Sequence, residues 1–142
     1  MSLTPPGPPD PPPPSVPPAP APGCVVLTLQ GSVMTSNMIP PAVRINGYSM
    51  PAKYGENVYP LAPGSWHIDI HAKWLRTYGE AAIDVQVQSG QTVPVFYAAP
   101  LHQFTTGSIG HVKQPRKGAA VFIALMSVVA LFVGLMVAVA VA

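Results

Sequence analysis

The chain has 142 residues, of which 20 are proline and only 8% are charged, although 49% are hydrophobic. This balance excludes a disordered polyelectrolyte, which needs high charge and few apolar residues, and it is unlike an ordinary soluble enzyme. A formal net charge of +2 is too small for a nucleic-acid-binding surface, and the length allows one small domain.

Residues 1–23 form a proline-rich arm that holds 12 of the prolines. Proline fixes φ and has no N–H to donate, so we expect a disordered, extended arm without helix or sheet ladder. Two roles for the arm stay open. It is either a semi-rigid spacer or a ligand for an aromatic groove, and the lack of a flanking Arg or Lys favours the spacer.

Residues 24–100 contain short apolar runs that alternate with turn residues, which predicts a small antiparallel β-sandwich. Hairpins are expected at Asn46-Gly47 and Ser89-Gly90, a further turn near Gly79, and an edge strand around Pro94. The predicted strands are 24–30, 42–45, 57–59, 65–74, 81–87 and 91–97. The large side chains expected to supply much of the core are Tyr59, Trp66, Trp74 and Tyr97.

Residues 101–118 are rich in breakers and polar residues, so we expect a linker with little regular structure and a basic end. Residues 119–142 carry no charge and no proline, and they are long enough for a transmembrane helix. Lys113, Arg116 and Lys117 precede this segment and orient it. The positive-inside rule then places the N-terminal domain, residues 1–118, in the cytoplasm.

Ala130, Gly134 and Ala138 recur every four residues and therefore share one face of the predicted helix. Small residues in this pattern let two helices approach closely, which favours a homodimer or packing on another membrane protein. The alternative is that such residues are simply common in apolar helices, and the sequence leaves both open.

His67, Asp69 and His71 alternate along one face of a predicted strand. They are candidate metal ligands, but a solvated polar face has the same pattern and is the favoured interpretation. Neither a nucleophile elbow nor a phosphate-binding glycine loop accompanies the carboxylates, so the sequence predicts no enzyme and no cofactor.

The segment 73–78 mixes cations with large apolar side chains at the end of a strand. Its candidate partner-binding residues are Lys73, Trp74, Leu75, Arg76 and Tyr78. Ordinary core packing by Trp74 is the favoured interpretation, and two others stay open: a hot spot for a protein partner or a patch that touches lipid headgroups.

Three stretches between residues 42 and 98 resemble the PEGA-like group of β-sandwich domains. They are Ile45-Asn46-Gly47, residues 58–68 (Val-Tyr-Pro-Leu-Ala-Pro-Gly-Ser-Trp-His-Ile) and residues 85–92 (Val-Gln-Val-Gln-Ser-Gly-Gln-Thr). The resemblance implies an interaction or spacer module appended to an envelope or membrane-associated protein. Residues 97–100 and 107–110, followed by basic residues and an apolar segment, are similar in layout to actinobacterial (mycobacterial-type) membrane proteins.

From these patterns and this similarity in layout we expect a single-pass protein of the bacterial inner membrane that acts as a non-enzymatic adaptor or accessory subunit. Its expected partners are membrane lipid and other membrane or membrane-associated proteins, with a homodimer as one option and nucleic acid excluded. One alternative is an accessory subunit that packs through its helix in a membrane enzyme or transporter. Another is a small-ligand or metal sensor.

Overall fold

The structure is a computed structural model that describes residue 7 and residues 14–141. The expectation of an extended arm over 1–23 falls partly on residues 1–6 and 8–13, which lie outside the described residues. Residues 14–22 are exposed and have neither helix nor strand, as their proline content predicts.

Within the described residues, eight strands precede one helix. The elements are β1 (Gly23–Gln30), β2 (Ala42–Ile45), β3 (Tyr48–Met50), β4 (Gly55–Leu61), β5 (Gly64–Lys73), β6 (Thr77–Val87), β7 (Thr92–Ala98), β8 (Ser108–Gly110) and α1 (Ala119–Val141).

The strands form two four-stranded sheets that share one core, which confirms the predicted β-sandwich. The first sheet has the order β4-β1-β7-β8 and the second has the order β3-β2-β5-β6. One pairing differs from expectation, because β1 and β7 run parallel and make the first sheet mixed. These two strands are joined through the other sheet rather than by a hairpin, so their directions are free to agree.

Alternating apolar residues build the core. Leu27, Ile68, Val95 and Tyr97 are fully buried, and buried positions alternate with more exposed ones along β1, β5 and most of β7, which ends on buried Ala98. Trp66 is only partly buried against this cluster. The expectation that Trp74 supplies core volume is wrong: β5 ends at Lys73, and Trp74 lies beyond it with half of its surface exposed.

Three turn predictions have different outcomes. The Asn46-Gly47 hairpin is confirmed, with φ values of 48° and 82°, both positive as a type I′ turn requires. The turn expected near Gly79 instead occupies residues 74–76, and Gly79 lies inside β6. Ser89-Gly90 does not close a hairpin, because β6 and β7 belong to different sheets and the turn connects them across the sandwich.

Pro94 lies on β7, which is flanked by β1 and β8 and is therefore not a full edge strand as expected. However, β8 pairs only with Phe96 to Ala98, so β7 has no strand neighbour on that side at Pro94. The Pro94 carbonyl accepts a hydrogen bond from His111 Nδ1 there at 2.9 Å. The missing N–H of proline is tolerated because no ladder bond is needed at this position.

The segment predicted as a linker, 101–118, is folded onto the sandwich instead. It contains β8, and Gln114 exchanges two hydrogen bonds with Gln30, of 2.9 and 2.7 Å. The Leu101 amide also donates to the Lys117 carbonyl at 3.0 Å. The folded domain therefore extends to Lys117, directly before α1.

The strand connections gather at two opposite ends of the sandwich. The arm end holds residue 22, where the arm enters β1, together with the turns 46–47, 62–63 and 88–91. The helix end holds the loops 31–41, 51–54, 74–76 and 99–107 and the approach to α1. The eight residues of β1 separate the two ends by about 25 Å.

The helix α1 has 23 residues and no charged side chain, and it is about 34 Å long. By length and composition it is able to cross a membrane. None of its described side chains is buried by the rest of the described chain.

Tyr97 supplies a test of the core. Its buried hydroxyl donates to the Gly79 carbonyl at 2.6 Å, and burial raises the pKa of this phenol well above its usual range. The change Tyr97→Phe leaves that carbonyl without its partner and should lower the free energy of unfolding by about 1–3 kcal/mol, measured by urea titration in mild detergent. Tyr48→Phe, at a side chain that is 77% exposed, is the control and should change stability by less than about 0.5 kcal/mol. Equal stability of the two variants would contradict this role of Tyr97.

Candidate interaction surface

Exposed apolar side chains concentrate at the helix end of the sandwich. Outside α1, twelve described large apolar side chains are exposed. Four of them lie singly on other parts of the domain, at Val16, Tyr48, Val58 and Val112. The remaining eight come from three loops, and we call them the loop patch: Val33, Met34, Met38, Ile39, Trp74, Leu75, Leu101 and Phe104. Isolated exposed apolar residues are ordinary, whereas a contiguous group marks an interaction surface.

Asn37 fixes the first of these loops against the end of β5. Its buried side chain donates to the Lys73 carbonyl at 2.8 Å, and its carbonyl accepts a 2.9 Å bond from the Tyr54 hydroxyl. Burial raises the pKa of Tyr54, so this hydroxyl stays protonated and able to donate. These hydrogen bonds therefore hold the 31–41 loop in a defined conformation.

Arg116 connects the same loop to the segment that leads into α1. Its Nη1 donates to the Thr35 carbonyl at 2.9 Å and its Nη2 donates to Ser36 Oγ. A shallow depression of about 520 Å³ lies between the loops, with Trp74, Phe104 and Arg116 in its lining. The loop patch is thus continuous with the start of the helix.

Charge is distributed unevenly between loops and strands. Five of the seven basic residues lie in the loops and strand terminus at the helix end: Lys53, Lys73, Arg76, Arg116 and Lys117. The acidic residues that the structure describes all lie within strands, and of these Glu56, the second residue of β4, is at the helix end: Glu56, Asp69, Glu80 and Asp84. The loop patch is therefore bordered by cations, and no described carboxylate lies in its loops.

The predicted partner-binding residues fall on this surface. Lys73, Leu75 and Arg76 are exposed, Trp74 is half exposed and Tyr78 is half-buried beside them. This placement leaves two of the three interpretations, a protein hot spot and a lipid-contacting patch, and removes core packing by Trp74. The contributions of Met34, Met38 and Phe104 were not indicated by the sequence pattern, because they lie in segments without periodicity. The signal that could have revealed them is the presence of large apolar residues among turn-forming residues.

The predicted metal candidates lie along β5 with other partners. Asp69 Oδ1 accepts a bond from Arg44 Nε at 2.9 Å, and His67 Nδ1 lies 2.6 Å from Asp84 Oδ1. His67 and His71 are four positions apart, about 13 Å along the strand, which is too far for both to reach one zinc ion at ordinary Zn–N distances. Within residues 14–141 no group of three potential ligands comes together.

The three residues predicted to orient the helix lie just before it. Lys113 is exposed, Arg116 is bound to the first loop as described, and Lys117 Nζ donates to Thr106 Oγ1 at 3.2 Å. On α1 itself, Ala130, Gly134 and Ala138 share a face, and a Cβ added at Gly134 would meet no atom within 4 Å. No described residue outside α1 covers this face.

No protein-family model matches the chain, and no curated protein matches it either. The likeness of residues 42–98 to PEGA-like domains, and the likeness of the layout to actinobacterial membrane proteins, both stay predictions.

Proposed function

We propose that the chain is a non-enzymatic adaptor or accessory subunit that α1 anchors in the inner membrane. The observation that carries the proposal is the position of the two chain extensions. The arm enters the sandwich at one end and α1 leaves it at the other, about 25 Å away. A sandwich anchored in this way holds residue 22, where the arm joins β1, away from the bilayer and accessible to other proteins.

The direction of insertion rests on the basic residues next to α1. Lys113, Arg116 and Lys117 precede the helix, and its last turn contains no basic residue. Loops next to a span that are rich in Lys and Arg stay in the cytoplasm, so the proposal places the sandwich and the arm there.

A single engineered thiol tests this orientation. The chain has one cysteine, Cys24, and Ser15 is exposed in the arm. In the double variant Cys24→Ser, Ser15→Cys, a membrane-impermeant maleimide should label the protein only after the cells are opened. The matched control is Cys24→Ser alone, which should stay unlabelled in both conditions. Labelling of the double variant in intact cells would place the arm outside and contradict the proposed topology.

The adaptor role is tested by what the intact protein retains when it is purified from its native membrane in mild detergents. The proposal predicts a stoichiometric protein companion, because a presented domain without chemistry acts through what it binds. Recovery of the chain alone in several detergents would contradict it.

Two helix variants distinguish the adaptor from a subunit that packs through α1. The bulky side chain in Gly134→Ile obstructs the face shared by Ala130 and Ala138, whereas Ala140→Ile places the same side chain about 120° around the helix. An adaptor that works through its sandwich and arm should keep its companion in both variants. Loss of the companion in Gly134→Ile alone would favour the subunit of a membrane enzyme or transporter.

A further inference from the structure

The structure leaves almost no free chain between the sandwich and the helix. The Lys117 carbonyl is held by the Leu101 amide at 3.0 Å, and α1 begins at Ala119. Gly118 also lies against the sandwich, since a Cβ placed on it would be 2.6 Å from His102 Cδ2. Two residues span at most about 7 Å, so the helix end of the sandwich lies next to whatever surface α1 enters.

The side chains at this end match the boundary between lipid and water. Leu75 is 89% exposed and Phe104 is 85% exposed, and Trp74 stands beside Leu75 in the same turn. Tryptophan prefers the headgroup level of a bilayer, and apolar neighbours gain by entering the outer acyl region. The bordering cations Lys73 and Arg76 suit anionic headgroups.

The opposite end of the sandwich differs in composition. Its turns at 46–47, 62–63 and 88–91 consist of small and polar residues without a large apolar side chain. A protein partner that arrives from the aqueous phase has no reason to favour the end where α1 leaves, whereas a bilayer entered by α1 can reach only that end. The coincidence of the loop patch with the helix attachment therefore favours lipid as its occupant.

We propose that the loop patch docks on the surface of a phospholipid bilayer, with Trp74, Leu75 and Phe104 in the interfacial layer. This inference rests on the proposed anchorage by α1 and adds to it a second contact with the membrane. The helix end of the sandwich then contacts the bilayer, and residue 22, where the arm joins β1, lies on the side away from the lipid.

The two tryptophans report this orientation separately. Trp66 lies near the start of β5 and Trp74 just beyond its end, about 26 Å apart along the strand. Two variants of the full chain are reconstituted in vesicles of phosphatidylcholine and phosphatidylglycerol whose acyl chains carry bromine, a quencher of tryptophan fluorescence. Trp66→Phe retains only Trp74, and Trp74→Phe retains only Trp66. Emission from Trp74 should be mostly lost and that from Trp66 retained. If Trp66→Phe fails to fold, subtracting Trp74→Phe from the unchanged protein gives the Trp74 signal.

A charged version of the patch serves as the matched test. The changes Leu75→Glu and Phe104→Glu affect highly exposed side chains and should not disturb folding, but they should restore the Trp74 emission because carboxylates leave the lipid boundary. Continued quenching of Trp74 in this variant would overturn the assignment of these residues to the interface.

Flotation of the same vesicles separates the two proposals. A chain that floats while Trp74 stays unquenched, or with both tryptophans quenched alike, overturns the docking of the loop patch and leaves anchorage intact. A chain that remains at the bottom of the gradient overturns anchorage itself.

Discussion

The apolar surface of α1 sets the condition that the rest of the molecule has to meet. The helix has 23 residues and no charged side chain, and none of its described side chains is buried by the rest of the described chain. Burial of apolar surface is the dominant favourable term in folding and association, so a helix of this kind requires an apolar surrounding. In the proposed account the bilayer supplies it, and the backbone of α1 tolerates lipid because its hydrogen bonds are made within the helix.

The sandwich holds the start of α1 in a fixed position relative to its strands. Gln30 and Gln114 pair across the chain, and Arg116 and Lys117 hold the approach to α1 against loops at the helix end. Because of those contacts, no flexible linker separates the sandwich from α1. Under the proposed anchorage, the position of α1 determines which end of the domain faces the membrane, and residue 22, where the arm joins β1, is at the other end.

Local patterns in the sequence predict much of this fold, and long-range pairings account for what they miss. The alternation in β1 and β5, the Asn46-Gly47 turn and the uncharged segment α1 are properties of neighbouring residues. The parallel pairing of β1 with β7 and the formation of β8 depend on partners far along the chain. Trp74 was misplaced because strand alternation carries no information about where β5 ends. The candidate surface was predicted only in its 73–78 part, since its other residues come from two aperiodic loops.

Alkaline carbonate extraction of native membranes shows whether lipid surrounds α1, because it strips proteins held by charge or by other proteins and leaves those whose helices are surrounded by lipid. If α1 lies in the bilayer, the full chain stays in the membrane pellet. Release of the chain into the supernatant would mean that something other than a bilayer covers α1 and that α1 is not a membrane anchor.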